Sequence, residues 1–177
     1  MRFSHSFLQY NIMIWGDLMR VVPYQMSAAV SYAKRWALYR NPLYFNFDGI
    51  GGDCTNFVSQ CIYAGAGVMN ETPILGWYYH SASDRTASWT GVEYLFDFLI
   101  HNRTIGPFGH LADLEELIPG DVIQLGGAGG RFYHSLMVVD IYPEILVAAH
   151  TDDSLNRTLS SYSYDQIRCI HIDGVRK

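Results

Sequence analysis

Apolar residues fall at helical spacing in the first half of the chain and at strand spacing in the second. Ala28, Ala29, Tyr32, Ala33, Trp36 and Ala37 share one face of a helix that Ser27 would cap, with Lys34, Arg35 and Arg40 on the other face. That helix should run to about Arg40, because Pro42 cannot continue it. Phe57, Val58, Cys61 and Ile62 mark a second helix, opened at Cys54 and closed near Gly65 and Gly67. Val92, Leu95, Phe96, Leu99 and Ile100 mark a third, from Gly91 to about Asn102. A short helical turn is expected over Ala112 to Leu117, before Pro119-Gly120. The period then changes. Asp121 to Leu125, Phe132 to Ile141, Ile145 to Thr151 and Ile167 to Ile172 read as strands, the middle two joined by a tight turn at Tyr142-Pro143-Glu144. Helices first and an antiparallel sheet second predict an α+β fold.

Between Val68 and Thr90 no period is visible, and Trp77, Tyr78, Tyr79, His80 and Trp89 stand among small polar residues. A long aromatic-rich segment of this kind reads as a binding loop, which makes Trp77, His80 and Trp89 candidate substrate contacts. The competing reading is that the two tryptophans cover the core.

The stretch with the most chemistry is Gly51-Gly52-Asp53-Cys54-Thr55-Asn56. The glycines allow a sharp turn, and Asp53 is placed to cap the helix that follows with its carboxylate. Cys54 then sits in the first helical turn, where the positive end of the macrodipole favours a thiolate and a lowered pKa. Cys61 lies about two turns further on, out of disulfide reach, and reads as core. Cys169, within Ile167-Arg168-Cys169-Ile170, reads the same way.

Composition narrows the partners. The chain has 177 residues, enough for one domain with its own core. Apolar residues make up 49% and charged residues 16%, with a net charge of −5 and no long basic run, which argues against nucleic acid. The N-terminal run Phe7 to Trp15 is broken by Gln9 and Asn11 and is too short to span a membrane. It also lacks the apolar core and cleavage site of a signal peptide, which predicts a cytoplasmic protein or one exported by a route not visible in the sequence. Residues 1–23 therefore read as an extension and 24–177 as the domain.

A thiol nucleophile needs a base, and the base needs an orienting group. His134 lies near the start of one strand of the expected hairpin and His150 near the end of the next. Antiparallel pairing would set the two imidazoles opposite each other, within hydrogen-bond reach. No HExxH or HxH spacing supports a metal site, so neither metal nor organic cofactor is expected.

Ala29 to Ala33, Trp36, Arg40-Asn41-Pro42, Tyr44 and the run Gly52 to Cys61 together resemble the bacterial putative amidase domain family. Gly120 to Gln124, His134-Ser135 and His150-Thr151 extend the resemblance over roughly residues 24 to 160. The family is similar to the NlpC-type and CHAP cysteine peptidases and amidases of the papain-like fold. The resemblance implies Cys54 as nucleophile, His134 as general base and His150 as third polar residue, with Asp152 as the substitute. Asp53, Thr55 and Tyr133, beside these, are the remaining candidates for oxyanion or substrate contact. The implied activity is cysteine-dependent hydrolysis of an amide in a peptide or peptidoglycan fragment. The alternatives are a non-catalytic peptide or cell-wall binding module, or an acyltransferase on the same scaffold. Where NlpC-type relatives carry Asp-Cys-Ser-Gly, this chain has Asp53-Cys54-Thr55-Asn56, and Tyr63 replaces a serine that helps hold the substrate amine there. Their dipeptide specificity does not transfer.

Overall fold

A computed structural model describes residues 19–177. The Phe7–Trp15 stretch lies outside the described residues. The elements run β1 (Val21–Val22), α1 (Met26–Trp36), α2 (Cys54–Ala66), α3 (Ala87–Thr90), α4 (Val92–His101), β2 (Gly106–Ala112), β3 (Val122–Gly126), β4 (Phe132–Asp140), β5 (Leu146–Ala149), β6 (Ser154–Thr158) and β7 (Gln166–Arg176). The fold is α+β, with an antiparallel sheet in the order β1-β7-β3-β4-β5-β6 and β2 paired to the other side of β7.

The two faces of the sheet are distinct. Val122, Met137, Val139, Ala148 and Ile170 pack with Phe57, Val58, Cys61 and Ile62 of α2 and with Ala29 and Ala33 of α1. On the other face Ile123, Leu125, Leu136, Val138, Val147 and Ala149 gather with Leu159 and Cys169. Alternation along each strand sorts residues between these faces, so a shift of one residue moves a side chain to the opposite side of the sheet.

Helix α2 carries more than an apolar stripe. Cys54 to Ile62 are all buried, including Thr55, Asn56, Ser59 and Gln60. The second side of this helix therefore needs a cover, and the 68–90 segment supplies it. Trp77 and Trp89 are fully buried, with ring centroids 4.8 Å apart, and their indole N–H groups donate to Ser59 Oγ (3.1 Å) and Asn56 Oδ1 (2.9 Å). The binding-loop reading of these two tryptophans is thus corrected: they close the core over a helix buried on both sides.

Other boundaries moved. Helix α1 begins at Met26, so Ser27 lies inside it and does not cap it. Strand β2 was hidden by its composition, Gly106-Pro107-Phe108-Gly109. A side chain at Gly109 would come within 2.1 Å of the His171 carbonyl, so the close approach of β2 to β7 requires glycine there. Among the described residues no helix is long and apolar enough to cross a membrane.

Candidate active site

Cys54 opens α2 and is only 7% exposed. Gly52, at φ +99, turns the chain into the helix, and a side chain there would lie 3.3 Å from Thr151 Oγ1. The Asp53 N–H donates to that hydroxyl at 2.9 Å, tying the start of α2 to the end of β5. Thr151 itself holds a positive φ of 75°, an unusual state for a β-branched residue that this contact helps to fix.

Asp53 does not cap the helix. Its buried carboxylate turns inward, accepting from the Phe47 N–H (2.9 Å) and Asn56 Nδ2 (2.8 Å) on one oxygen and meeting His150 Nδ1 (2.6 Å) on the other. Arg40 Nε lies 3.4 Å from the second oxygen, and the same guanidinium binds Asp153 through two contacts (2.9 and 2.8 Å) and Asp48. Arg40 thereby holds the Asp153 carboxyl below its usual range. Being fully buried, Asp53 supports the start of the helix and cannot contact a substrate.

His150 is placed differently from the sequence expectation. Its Nε2 meets the Trp36 carbonyl at 2.9 Å, its ring stacks on Phe57 with centroids 4.1 Å apart, and the residue is 1% exposed. Met137 pairs with Ala148, and continuing that register sets Ser135, not His134, across from His150. His134 lies near Tyr162 (ring centroids 6.0 Å). The two imidazoles are not brought together.

His134 is partly exposed, and none of the side-chain hydrogen bonds among the described residues uses its ring nitrogens. Burial lowers its pKa below the ordinary histidine value, with the Asp152 carboxylate opposing and Arg157 adding to the effect. Asp152 is therefore the carboxylate whose charge acts on His134. The Cys54 sulfur lies 3.8 Å from the Thr55 hydroxyl, and the backbone amides of Ser135 and Thr55 also act to lower its pKa. These donors favour the thiolate, yet burial outweighs them and pushes the Cys54 thiol above its ordinary value. The lowered pKa expected from helix position alone is not met.

The remaining candidates scatter. Thr55 is buried and bonds Ser135 Oγ at 3.0 Å. Tyr133 is half exposed and donates to the Ser163 carbonyl at 3.3 Å. His80 pairs with Glu71 (2.8 Å) in a cavity of about 370 Å³ that also takes in Tyr63, near the far end of α2. A larger cleft of about 770 Å³ runs beside α4 past Asn70, Leu75, Tyr94 and His101, and neither Cys54 nor His134 lines it.

Residues 23–172 match the family model described as "Putative amidase domain". The chain belongs to that family. Membership supports an amidase-type hydrolase acting on C–N bonds. A relative described as uncharacterized protein YhbB, from Bacillus subtilis (strain 168), is 37% identical over 143 residues, covering 78% of this chain. The chain spans 45% of that relative's length. No solved structure matches this chain.

Sequence reasoning also missed a polar chain behind the thiol, in which buried Ser135 and Gln124 lead to the partly buried Arg168 and on to Glu93. A signal was present. Val122 to Gly126 is buried at every position, and Gln124 is its polar member.

Proposed function

We propose that the protein is a cysteine-dependent amidase of papain-like type, with Cys54 as nucleophile, His134 as base and Asp152 as the acidic partner of His134. The substrate proposed is an amide in a peptide or peptidoglycan fragment. The observation that carries this reading is the meeting of the helix start with the strand start: Thr55, next to Cys54, bonds Ser135, next to His134, at 3.0 Å.

The directions of the two pKa shifts favour a neutral resting pair. Burial raises the thiol and lowers the imidazole, so at neutral pH both are uncharged and His134 is free to accept a proton. As substrate binds, His134 takes the Cys54 proton and the sulfur attacks the amide carbonyl. The Cys54 backbone N–H, unclaimed at the first helical position, is the proposed oxyanion donor. The imidazolium then protonates the leaving nitrogen, and the C–N bond breaks to give a thioester and a free amine. Water, deprotonated by His134, attacks the thioester, releasing a carboxylate and restoring the thiol. Asp152 favours the imidazolium in both halves.

The test is a mass-spectrometric screen of peptidoglycan digests and peptide amides with wild-type and Cys54→Ala proteins. Loss of all new carboxylate products in Cys54→Ala is expected. Turnover by Cys54→Ala at the wild-type rate would overturn the reading.

A further inference from the structure

The polar chain behind Cys54 has one arrangement of hydrogens in which each hydroxyl both accepts and donates along it. Arg168 can only donate, and its Nε reaches Gln124 Oε1 at 2.7 Å. That contact fixes which end of the amide is oxygen. The Gln124 NH2 group then donates one hydrogen to the Val92 carbonyl (2.9 Å) and the other to Ser135 Oγ (3.1 Å). Ser135, fully buried and already accepting, turns its own O–H to Thr55 Oγ1 at 3.0 Å. Thr55, accepting in turn, directs its O–H at the Cys54 sulfur, 3.8 Å away. Arg168 is itself held fast: its guanidinium lies between the rings of Phe96 (3.8 Å) and Phe132 (4.0 Å) and binds Glu93 Oε2 at 2.8 Å.

We propose that Arg168 and Gln124 are positioning residues of the Cys54 site. They fix the direction of a buried donor chain that ends in a hydroxyl aimed at the sulfur, and so favour the thiolate. The inference rests on the reading of Cys54 as the nucleophile. A sulfur this buried gains little help from water, so a preset donor matters when charge develops on it. Glu93 extends the same device to the base, because its Oε1 accepts from the Phe132 N–H (3.0 Å) at the start of β4. The strand carrying His134 is thereby pinned on both sides of the imidazole, at Phe132 and at Ser135.

The direction of the chain is testable with an isosteric change. In Gln124→Glu the carboxylate still accepts from Arg168 but has no hydrogen for Ser135. Ser135 then donates toward residue 124, Thr55 donates to Ser135, and the sulfur loses its hydroxyl donor. Thr55→Val removes the same donor at the other end. The experiment measures iodoacetamide alkylation of Cys54 against pH by peptide mass spectrometry, for wild type, both single variants and the double variant. Asp53 from its own helix start and His134 from β4 are the same in all four proteins, and the carboxylate that Gln124→Glu adds faces Arg168. A bare charge effect of that carboxylate would add to the Thr55→Val shift in the double variant. Each single variant is expected to raise the alkylation midpoint by about one pH unit, a roughly tenfold slower reaction at neutral pH, and the double variant no further. A wild-type midpoint in either single variant, or shifts that add in the double, would overturn the proposal. Should Gln124→Glu fail to fold, Arg168→Met frees the amide to flip and is expected to raise the midpoint, while Arg168→Lys, still a donor, restores it. A wild-type midpoint in Arg168→Met would be equally fatal. This readout is the thiol's own titration. It therefore stands apart from the Cys54→Ala activity test, and either result can fail without the other.

Discussion

His134 and His150 stand near facing ends of neighbouring strands, yet the fold treats them as opposites. His150 is buried, stacked on Phe57, and has both ring nitrogens engaged, by Asp53 and by the Trp36 carbonyl. His134 sits at the strand start beside Tyr162, and none of the side-chain hydrogen bonds among the described residues uses its ring nitrogens. An imidazole committed at both nitrogens holds structure together; one with a free nitrogen can move a proton. In this site the free histidine is proposed to do the chemistry, and the bound one to hold the ground on which the nucleophile stands.

The sharpest way to break that contrast is to remove each ring in turn. His134→Ala is expected to lower kcat on a cleaved amide by roughly a hundredfold to ten-thousandfold, the range of a lost general base. Its thermal midpoint should hardly move, because the side chain is partly exposed and makes no described hydrogen bond. Activity near wild type in His134→Ala would hand the role of base to another group.

His150→Phe should show the reverse pattern. It breaks a buried pair and leaves the Asp53 carboxylate short of its closest partner, at a cost of roughly 3–5 kcal/mol. For a chain of this size that corresponds to a fall of roughly 6–20 °C in Tm, read by calorimetry or circular dichroism. The protein that remains folded should keep its pH profile, since His150 does not reach His134. A shifted acid limb with an unchanged Tm would restore His150 as the orienting residue.

Why the sequence pointed to His150 is instructive. Its hydrophobic alternation located β4, β5 and the turn between them, and the Gly-Gly-Asp-Cys run located the start of α2. What alternation could not supply was register. Met137 across from Ala148 places Ser135, not His134, opposite His150, and a one-residue difference in register is enough to part the two imidazoles. Trp77 and Trp89 were ambiguous for a related reason. The apolar stripe of α2 was legible, but the burial of its polar side, Asn56, Ser59 and Gln60, depends on a cover from distant chain. Only with that helix buried on both sides do two tryptophans in an irregular segment become core. Strands β2 and β6 escaped because Gly106-Pro107-Phe108-Gly109 and Ser154 to Thr158 carry little apolar alternation; partners hold them in the sheet.

The smallest expected effect tests which acid serves His134. Burial lowers the His134 pKa, and Asp152 resists that change. Asp152→Asn should lower it further. A histidine whose folded pKa is depressed contributes stability that is present above its unfolded pKa and is lost as pH falls through the folded value. Asp152→Asn should therefore leave neutral-pH stability nearly unchanged and make acid destabilisation slightly steeper. The acid limb of kcat/KM, which tracks the free base, should move to lower pH, while kcat on the plateau falls because the imidazolium loses its carboxylate. Arg157→Gln removes a charge that pushes the other way, so its acid limb should move to higher pH. Opposed displacements in these two variants, with no displacement in His150→Phe, would place the orienting charge at the β5–β6 connection. An acid limb that ignores Asp152 and Arg157 alike would mean that the titrating base is not His134.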